Sequence, residues 1–177
     1  IAGNKKAMYV KVDQGTLDYE KGIVTSLGER DFFTNKDHYT PYYKRLLEVG
    51  VPGLIKDIDE SIEKHSDDSD KCDTLRAMKH TLEGFKIMIE NHAREARKLI
   101  GNKDYSDERL NFIIKNCEAL STRAPESFAE ALQLVWFCHN AFYYEGRYAM
   151  ALGRMDQYLY PFYKNDIEKG AITDDEV

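Results

Sequence analysis

The chain has 177 residues, of which 42% are hydrophobic and 32% charged, a balance typical of a soluble domain with a buried core. Its formal net charge of −6 disfavours a nucleic-acid-binding surface, and no apolar run reaches the roughly 18 residues of a membrane span. The cysteines Cys72, Cys117 and Cys138 are too widely spaced for a disulfide framework or a zinc motif. They favour a reducing, cytoplasmic compartment.

The first part of the chain is predicted to be irregular and the part after it helical. Residues 1–37 are glycine-punctuated, with one candidate strand at Met8–Val12. From Pro41 onward, amphipathic patterns predict helices at Tyr42–Val49 and Gly53–Lys64. The Gly-Val-Pro-Gly run between them predicts a break.

The clearest element is a long amphipathic helix. Ser69 is predicted to cap its start, and Gly101-Asn102 to end it. Its apolar residues alternate steps of three and four, which gives one seam along the helix. The seam consists of Leu75, Met78, Leu82, Phe85, Ile89, His92, Ala96 and Leu99.

The remaining elements are two helices, a strand and a short helical or irregular tail. Asp107–Leu120 is amphipathic, whereas Phe128–Tyr144, which starts at Glu126 or Ser127, is apolar on every side. A helix of the second kind is usually buried inside a large protein, so we expect the chain to be a piece of something longer. Tyr148–Leu152 predicts a buried strand, and the tail, Met155–Tyr163, follows it. The fold class is therefore mainly α, with one or two short strands.

Two aromatic segments each allow two interpretations. Residues 30–43, RDFFTNKDHYTPYY, could line a small-molecule pocket or pack as a loop on the core. Residues 151–163, ALGRMDQYLYPFY, could form a pocket wall, or a piece of core with an Arg154–Asp156 surface pair. No metal-binding, phosphate-binding or triad motif is present, and His92 and His139 are interpreted as histidines at the edge of the core.

A set of motifs in the segment 124–177 agrees in type, order and spacing with the pattern of one enzyme family. They are Phe128, Glu130-Ala131-Leu132-Gln133, Trp136-Phe137, Gly153-Arg154, Asp156-Gln157-Tyr158-Leu159 and Pro161-Phe162-Tyr163. A second, shorter match covers His38-Tyr39-Thr40-Pro41 and the segment 50–55. By these residues the chain resembles the glycyl radical enzymes, a family that includes pyruvate formate-lyase, the diol dehydratases, choline lyase and the arylacetate decarboxylases.

The resemblance implies that the whole chain, 1–177, is a segment from the N-terminal half of a pyruvate formate-lyase-like domain. Residues 1–37 would be irregular, 41–144 helical, and 147–177 a strand of the family's ten-stranded α/β barrel with the helix after it. The family's catalytic cysteine, in a Gly-Cys-x-Glu context, and its radical glycine, in an Arg-Val-x-Gly-Tyr context, are both missing from this sequence. We therefore expect no catalytic residue in this chain and no activity from the chain alone.

The implied function is radical C–O or C–X lyase or dehydratase chemistry on a small organic substrate, as in glycerol dehydratases. Formate C-acetyltransferase is the alternative within the family. From the residues alone, a non-catalytic helical interaction module remains open. The substrate-binding residues implied by the resemblance are His38, Phe33, Tyr148, Ala149, Met150 and Ala151.

The resemblance also implies the cofactor and the partners. No metal or cofactor is expected in this segment. The full-length enzyme would carry a glycyl radical, installed by an activating enzyme that uses S-adenosylmethionine and an iron–sulfur cluster. We expect a cytoplasmic homodimer that acts in anaerobic metabolism, with no nucleic-acid or membrane partner.

Overall fold

The computed structural model describes residues 14–15, 18–19, 40–147, 150–173 and 175. Six labelled helices lie within these ranges, and they confirm the predicted mainly-α class. They are α1 (Tyr43–Lys64), α2 (Ser69–Leu99), α3 (Asp107–Thr122), α4 (Phe128–Tyr144), α5 (Met155–Tyr158) and α6 (Tyr160–Glu168). The candidate strand Met8–Val12 lies outside the described residues. In the described ranges, no helix combines the length and apolar character of a membrane span.

Helix α1 is broken where the sequence predicts it. Gly50 has φ 67° and ψ 177°, a conformation outside the helical region, and Pro52 follows it in the second half of the helix. A Cβ on Gly50 would lie 2.8 Å from the Cα of Ala124. The glycine therefore also lets the connector between α3 and α4 approach the backbone of α1 closely. Glycine is required here for both reasons.

Helices α2 and α3 pack closely on each other, and α1 packs against α2. The predicted cap at Ser69 is wrong by one residue: Asp68 is the cap, and its carboxylate accepts from the amide of Lys71 at 3.1 Å. Asp68 is preferred because it is the residue that still has extended backbone, as an N-cap requires.

The predicted seam of α2 is buried only in part. Ile89 and Ala96 are buried, as the spacing predicts, but Met78 is 53% exposed. Helix α2 has 31 residues and its partner α3 only 16, so α3 cannot cover the whole length of the seam.

Helix α4 has the predicted bounds, and Ser127 is its cap. One side of the helix enters the core, whereas Leu132 and Trp136 are 41% and 57% exposed on another. Its buried residues are Glu130, Ala131, Leu134, Val135, Phe137 and Cys138. Helix α4 is apolar on every side, and the described residues therefore cover only part of its apolar surface.

The predicted strand Tyr148–Leu152 does not form in the described residues. Met150 has a single β-bridge and residues 151–154 are irregular, while Tyr148 and Ala149 lie outside the described residues. A strand needs a ladder of hydrogen bonds to a neighbouring strand, and residues 150–152 have no such ladder. The tail after them is helical, as α5 and α6, and ends at Gly170 with φ 65°.

Candidate functional site

The residues just before α1 and the residues after α4 meet at the start of α1; helices α1 to α4 are called the helical body below. A Cβ on Gly153 would lie 2.8 Å from the methyl carbon of Thr40, so the two residues are in close contact although they are far apart in sequence. Gly153 has φ 68°, which allows this approach. The described end of the segment 30–43 therefore contacts the segment 151–163.

Two tyrosines stabilise this junction, which is the contact between residues 40–43 and residues 152–158. The ring of Tyr43, which is 1% exposed, lies 5.5 Å from the ring of Tyr158 between centroids. The Tyr158 hydroxyl donates a hydrogen bond of 2.7 Å to the backbone carbonyl of Leu152. A ring contact at this distance and a partly buried hydrogen bond both stabilise the contact between α1 and the tail.

An apolar groove of about 850 Å³ opens beside the junction. Its walls come from α1, α2 and the C-terminal end of α4, and its rim includes Pro41 and Arg147. In the sequence, Pro41 follows His38 by three positions and Arg147 precedes Tyr148 by one, so the groove is lined by residues close in sequence to both predicted substrate-binding segments. Its apolar lining includes Leu46, Leu54, Leu82, Phe85, Met88, Ala141 and Phe142.

The Arg154–Asp156 pair lies on the surface. Arg154 donates from Nε and Nη2 to the two carboxylate oxygens of Asp156, at 2.9 and 2.6 Å, with both side chains more than half exposed. The hydrogen bonds from Arg154 lower the pKa of Asp156 below its usual value. For residues 154–156, the structure therefore agrees with the interpretation of Arg154 and Asp156 as a surface pair.

An ion pair between a buried carboxylate and a partly exposed arginine fixes the connector before α4, residues 123–127. Glu130, which is 5% exposed, accepts from both terminal nitrogens of Arg123, at 2.8 and 2.9 Å, and from the amide of Glu126 at 2.8 Å. Burial alone would raise the pKa of Glu130, but the hydrogen bonds from Arg123 and Glu126 outweigh it and lower the pKa. The pair holds the connector against Gly50, and sequence reasoning missed this role, although Glu130 stands in the family motif.

A second buried carboxylate joins α6 to the start of α4. Asp166 is 5% exposed, and its Oδ2 accepts from the amide of Phe128 at 2.7 Å. Ser127 accepts from the amide of Glu130 at 3.2 Å, so two side chains satisfy the first amides of α4. The sequence carries this residue in the Asp-Ile-Glu-x-Gly tail but gives no sign of its distant partner.

Glu130→Gln is expected to lower the free energy of unfolding by about 1–3 kcal/mol at pH 7, because charge-assisted hydrogen bonds in a buried site are lost. The pKa of Glu130 is lowered by folding from 4.5, so its stabilisation is present above that pH and is lost as the pH falls through the folded pKa. The difference between variant and parent, measured by urea unfolding, should therefore shrink in acid.

Asp156→Asn is the matched control, because it removes a bidentate partner of arginine on the surface. Water screens exposed pairs, so its effect at pH 7 should be much smaller than that of Glu130→Gln. Equal losses in the two variants would contradict the structural role of Glu130.

The cysteines are buried and free, and none resembles a reactive thiol. Burial raises the pKa of Cys117 to about 11 and that of Cys138 to about 12. Cys72 donates from Sγ to the carbonyl of His65 at 3.1 Å. A thiol must ionise readily to act as a nucleophile, so Cys117 and Cys138 serve the core.

The predicted substrate-binding residues are only partly within the described chain. His38, Phe33, Tyr148 and Ala149 lie outside the described residues. Met150 is half-buried and Ala151 is exposed, next to the junction of Thr40 and Gly153. Among the described residues, no group of three or more histidine, cysteine, aspartate or glutamate side chains could hold a metal ion.

The two histidines interpreted as core-edge residues have that environment. His92 lies 4.8 Å from the Phe137 ring between centroids, and its Nδ1 is 2.8 Å from the carbonyl oxygen of Met88. His139 stacks on Trp136 at 5.8 Å between ring centroids.

Comparison with protein families decides the relationship. The family model described as "Pyruvate formate lyase-like" matches residues 4–177. The chain belongs to this family. The predicted resemblance to the glycyl radical enzymes is thereby confirmed, and the match covers the N-terminal part of these enzymes.

Several curated relatives are glycyl radical enzymes or related dehydratases. The chain is 32% identical over 170 residues to (2S)-3-sulfopropanediol dehydratase of Klebsiella oxytoca, covering 89% of this chain and 20% of the relative. It is 31% identical over 146 residues to the 4-hydroxyphenylacetate decarboxylase glycyl radical subunit of Clostridium scatologenes, covering 76% of this chain and 16% of the relative. The chain thus spans about a fifth or less of these relatives' length.

Solved structures agree. The chain matches the B12-independent glycerol dehydratase of Clostridium butyricum with a TM-score of 0.71 and 31% identity, over 77% of this chain and 18% of that one. It matches a Roseburia inulinivorans protein of 1,2-propanediol dehydration with a TM-score of 0.71 and 26% identity, over 77% of this chain and 17% of that one. The helical body is therefore a recognisable part of pyruvate formate lyase-like enzymes.

Proposed function

We propose that this chain is the segment of a glycyl radical dehydratase or C–X lyase that builds one wall of the substrate site. The observation that carries the proposal is the contact between Thr40 and Gly153. It brings the residues after His38 next to the residues after the candidate strand Tyr148–Leu152. The relatives named as dehydratases support the class of chemistry.

Within this proposal, each segment has a separate task. His38 would orient a substrate hydroxyl or carboxylate and donate or accept a proton there, and Phe33 would exclude water beside it. Tyr148, Ala149, Met150 and Ala151 would face the substrate as one strand of the family's barrel, completed by neighbouring strands outside this chain. Residues 1–37 and 147–177 would flank the helical part, 41–144, within one domain.

The reactive groups belong to the full-length enzyme. A glycyl radical, installed by an S-adenosylmethionine and iron–sulfur activating enzyme, would supply the hydrogen abstraction that starts such reactions. Burial raises the pKa values of Cys117 and Cys138, which supports a catalytic cysteine elsewhere in the enzyme. A homodimer in an anaerobic cytoplasm completes the proposal, and the three free cysteines are compatible with that compartment.

The test uses the full-length enzyme, activated anaerobically by its activating enzyme and checked for a glycyl radical by electron paramagnetic resonance. We expect turnover of at least one small diol or substituted alkanol, such as 1,2-propanediol, glycerol or 3-sulfopropanediol, measured as aldehyde or ketone product. The present chain alone, treated identically, should give no product, because neither radical site is encoded in it.

The competing reaction is assayed on the same preparation. Acetyl-coenzyme A formed from pyruvate and coenzyme A, with no product from any diol or alkanol, would favour formate C-acetyltransferase over the proposal. A full-length protein that accepts no radical from the activating enzyme would support the non-catalytic interaction module.

A further inference from the structure

Tyr158 connects three parts of the candidate site. Its hydroxyl donates to the carbonyl of Leu152, its ring contacts Tyr43 at the start of α1, and it is the last residue of the one-turn helix α5. We propose that Tyr158 is a positioning residue that holds the 150–153 segment against the start of α1 and so sets the affinity for substrate. This inference rests on the proposed function, in which that segment faces the substrate.

The 150–153 segment depends on such side-chain contacts. It lies outside the labelled helices, its described backbone contacts include the β-bridge at Met150 and the bond from the Met155 amide to the Gly153 carbonyl, and an irregular segment opens locally more easily than a helix. Thr40 contacts the segment at Gly153, and Tyr158 binds it at the preceding carbonyl. The two contacts act on adjacent residues and together fix the end of the candidate strand.

The environment of Tyr158 makes its hydroxyl a dependable donor. Burial raises the pKa of Tyr158 above 10, so the hydroxyl keeps its proton throughout the neutral range. The Tyr43 ring beside it is buried in the core, so Tyr158 binds Leu152 from a fixed base. A phenylalanine at position 158 would keep the ring contact and lose only the hydrogen bond.

The test compares Tyr158→Phe with Tyr160→Phe in the full-length, radical-free enzyme. Tyr160 is the matched control because it is 55% exposed and lies two residues away. We expect Tyr158→Phe to raise the dissociation constant of 1,2-propanediol or glycerol, measured by calorimetry, by about 3–10-fold, the effect of one lost hydrogen bond. Amide hydrogen exchange in residues 150–155 should accelerate by a similar factor, and Tyr160→Phe should leave both quantities within about twofold of the parent.

Steady-state kinetics of the activated enzyme supply the third readout. We expect Tyr158→Phe to raise KM and to change kcat per radical less, because the lost hydrogen bond supports binding of the substrate and of the transition state equally. A merely structural role predicts a lower melting temperature with unchanged affinity per folded molecule. Unchanged exchange in residues 150–155, or an affinity loss that Tyr160→Phe shares, overturns the inference. A parent enzyme that binds neither diol would contradict the proposed function. Hydrogen exchange needs no ligand, so it would still decide whether Tyr158 holds the 150–153 segment.

Discussion

Replacing Gly50 by alanine is expected to lower the free energy of unfolding by about 2–5 kcal/mol, the sum of backbone strain and a steric clash. Gly50 has φ 67° and ψ 177°, a region that essentially only glycine occupies. The new Cβ would lie 2.8 Å from the Cα of Ala124 and 2.9 Å from the carbonyl oxygen of Arg123. Both are backbone atoms, so neither can move aside without displacing the connector that the Arg123–Glu130 pair holds.

Gly84→Ala is the control for this prediction. Gly84 lies within α2, and a Cβ there would meet no atom within 4 Å. An exposed helical glycine replaced by alanine should gain about 0.5–1 kcal/mol. Urea unfolding should therefore show a lower free energy of unfolding for Gly50→Ala and a higher one for Gly84→Ala. A Gly50→Ala protein as stable as the parent would contradict the described conformation of the break in α1.

Replacing His38 by alanine in the full-length, activated enzyme is expected to reduce turnover by about 10²–10⁴-fold, the usual effect of a lost acid–base group. His38 lies outside the described residues, and the prediction rests on the sequence around it and on the contact that follows it. A histidine among Phe32, Phe33 and Tyr39 is costly to bury without a polar partner, which a substrate hydroxyl could supply. Turnover per radical and the melting temperature should be measured on the same preparation.

His80→Ala is the control, because the His80 side chain is 91% exposed on α2. It should change neither turnover nor stability. Reduced stability of His38→Ala with unchanged turnover per folded molecule would favour the alternative interpretation, in which residues 30–43 form a loop packed on the core.

Local signals in the sequence were sufficient to predict the helices. Helix α4 has the predicted bounds because Ser127 supplies an acceptor for its first amides and Gly146, with φ 79°, follows its end. The break in α1 follows equally from the glycines and Pro52. These features depend on neighbouring residues, which a sequence displays directly.

Contacts between distant segments could not be predicted in this way. Asp166 binds the amide of Phe128, 38 residues away, and nothing near either residue indicates the other. The burial of Met78 was predicted from periodicity, but the length of the partner helix decides it. The strand prediction had the same weakness, because strand formation requires a neighbour that the described residues do not supply.

The family resemblance supplied information about the site that the residues alone did not. Residue patterns left the two aromatic segments open to two interpretations each. The family resemblance predicts that both segments contribute to one substrate site, and Gly153 contacts Thr40 at the described end of the first segment. The surface pair of Arg154 and Asp156 shows that part of the second segment has a purely structural environment.

The most direct test of the central claim is a crystal structure of the full-length enzyme with a bound diol. The account predicts that His38 and the segment 148–151 contact the same ligand, with Thr40 and Gly153 in contact behind them. A structure in which His38 lies on the outer surface, remote from residues 148–152, would contradict it.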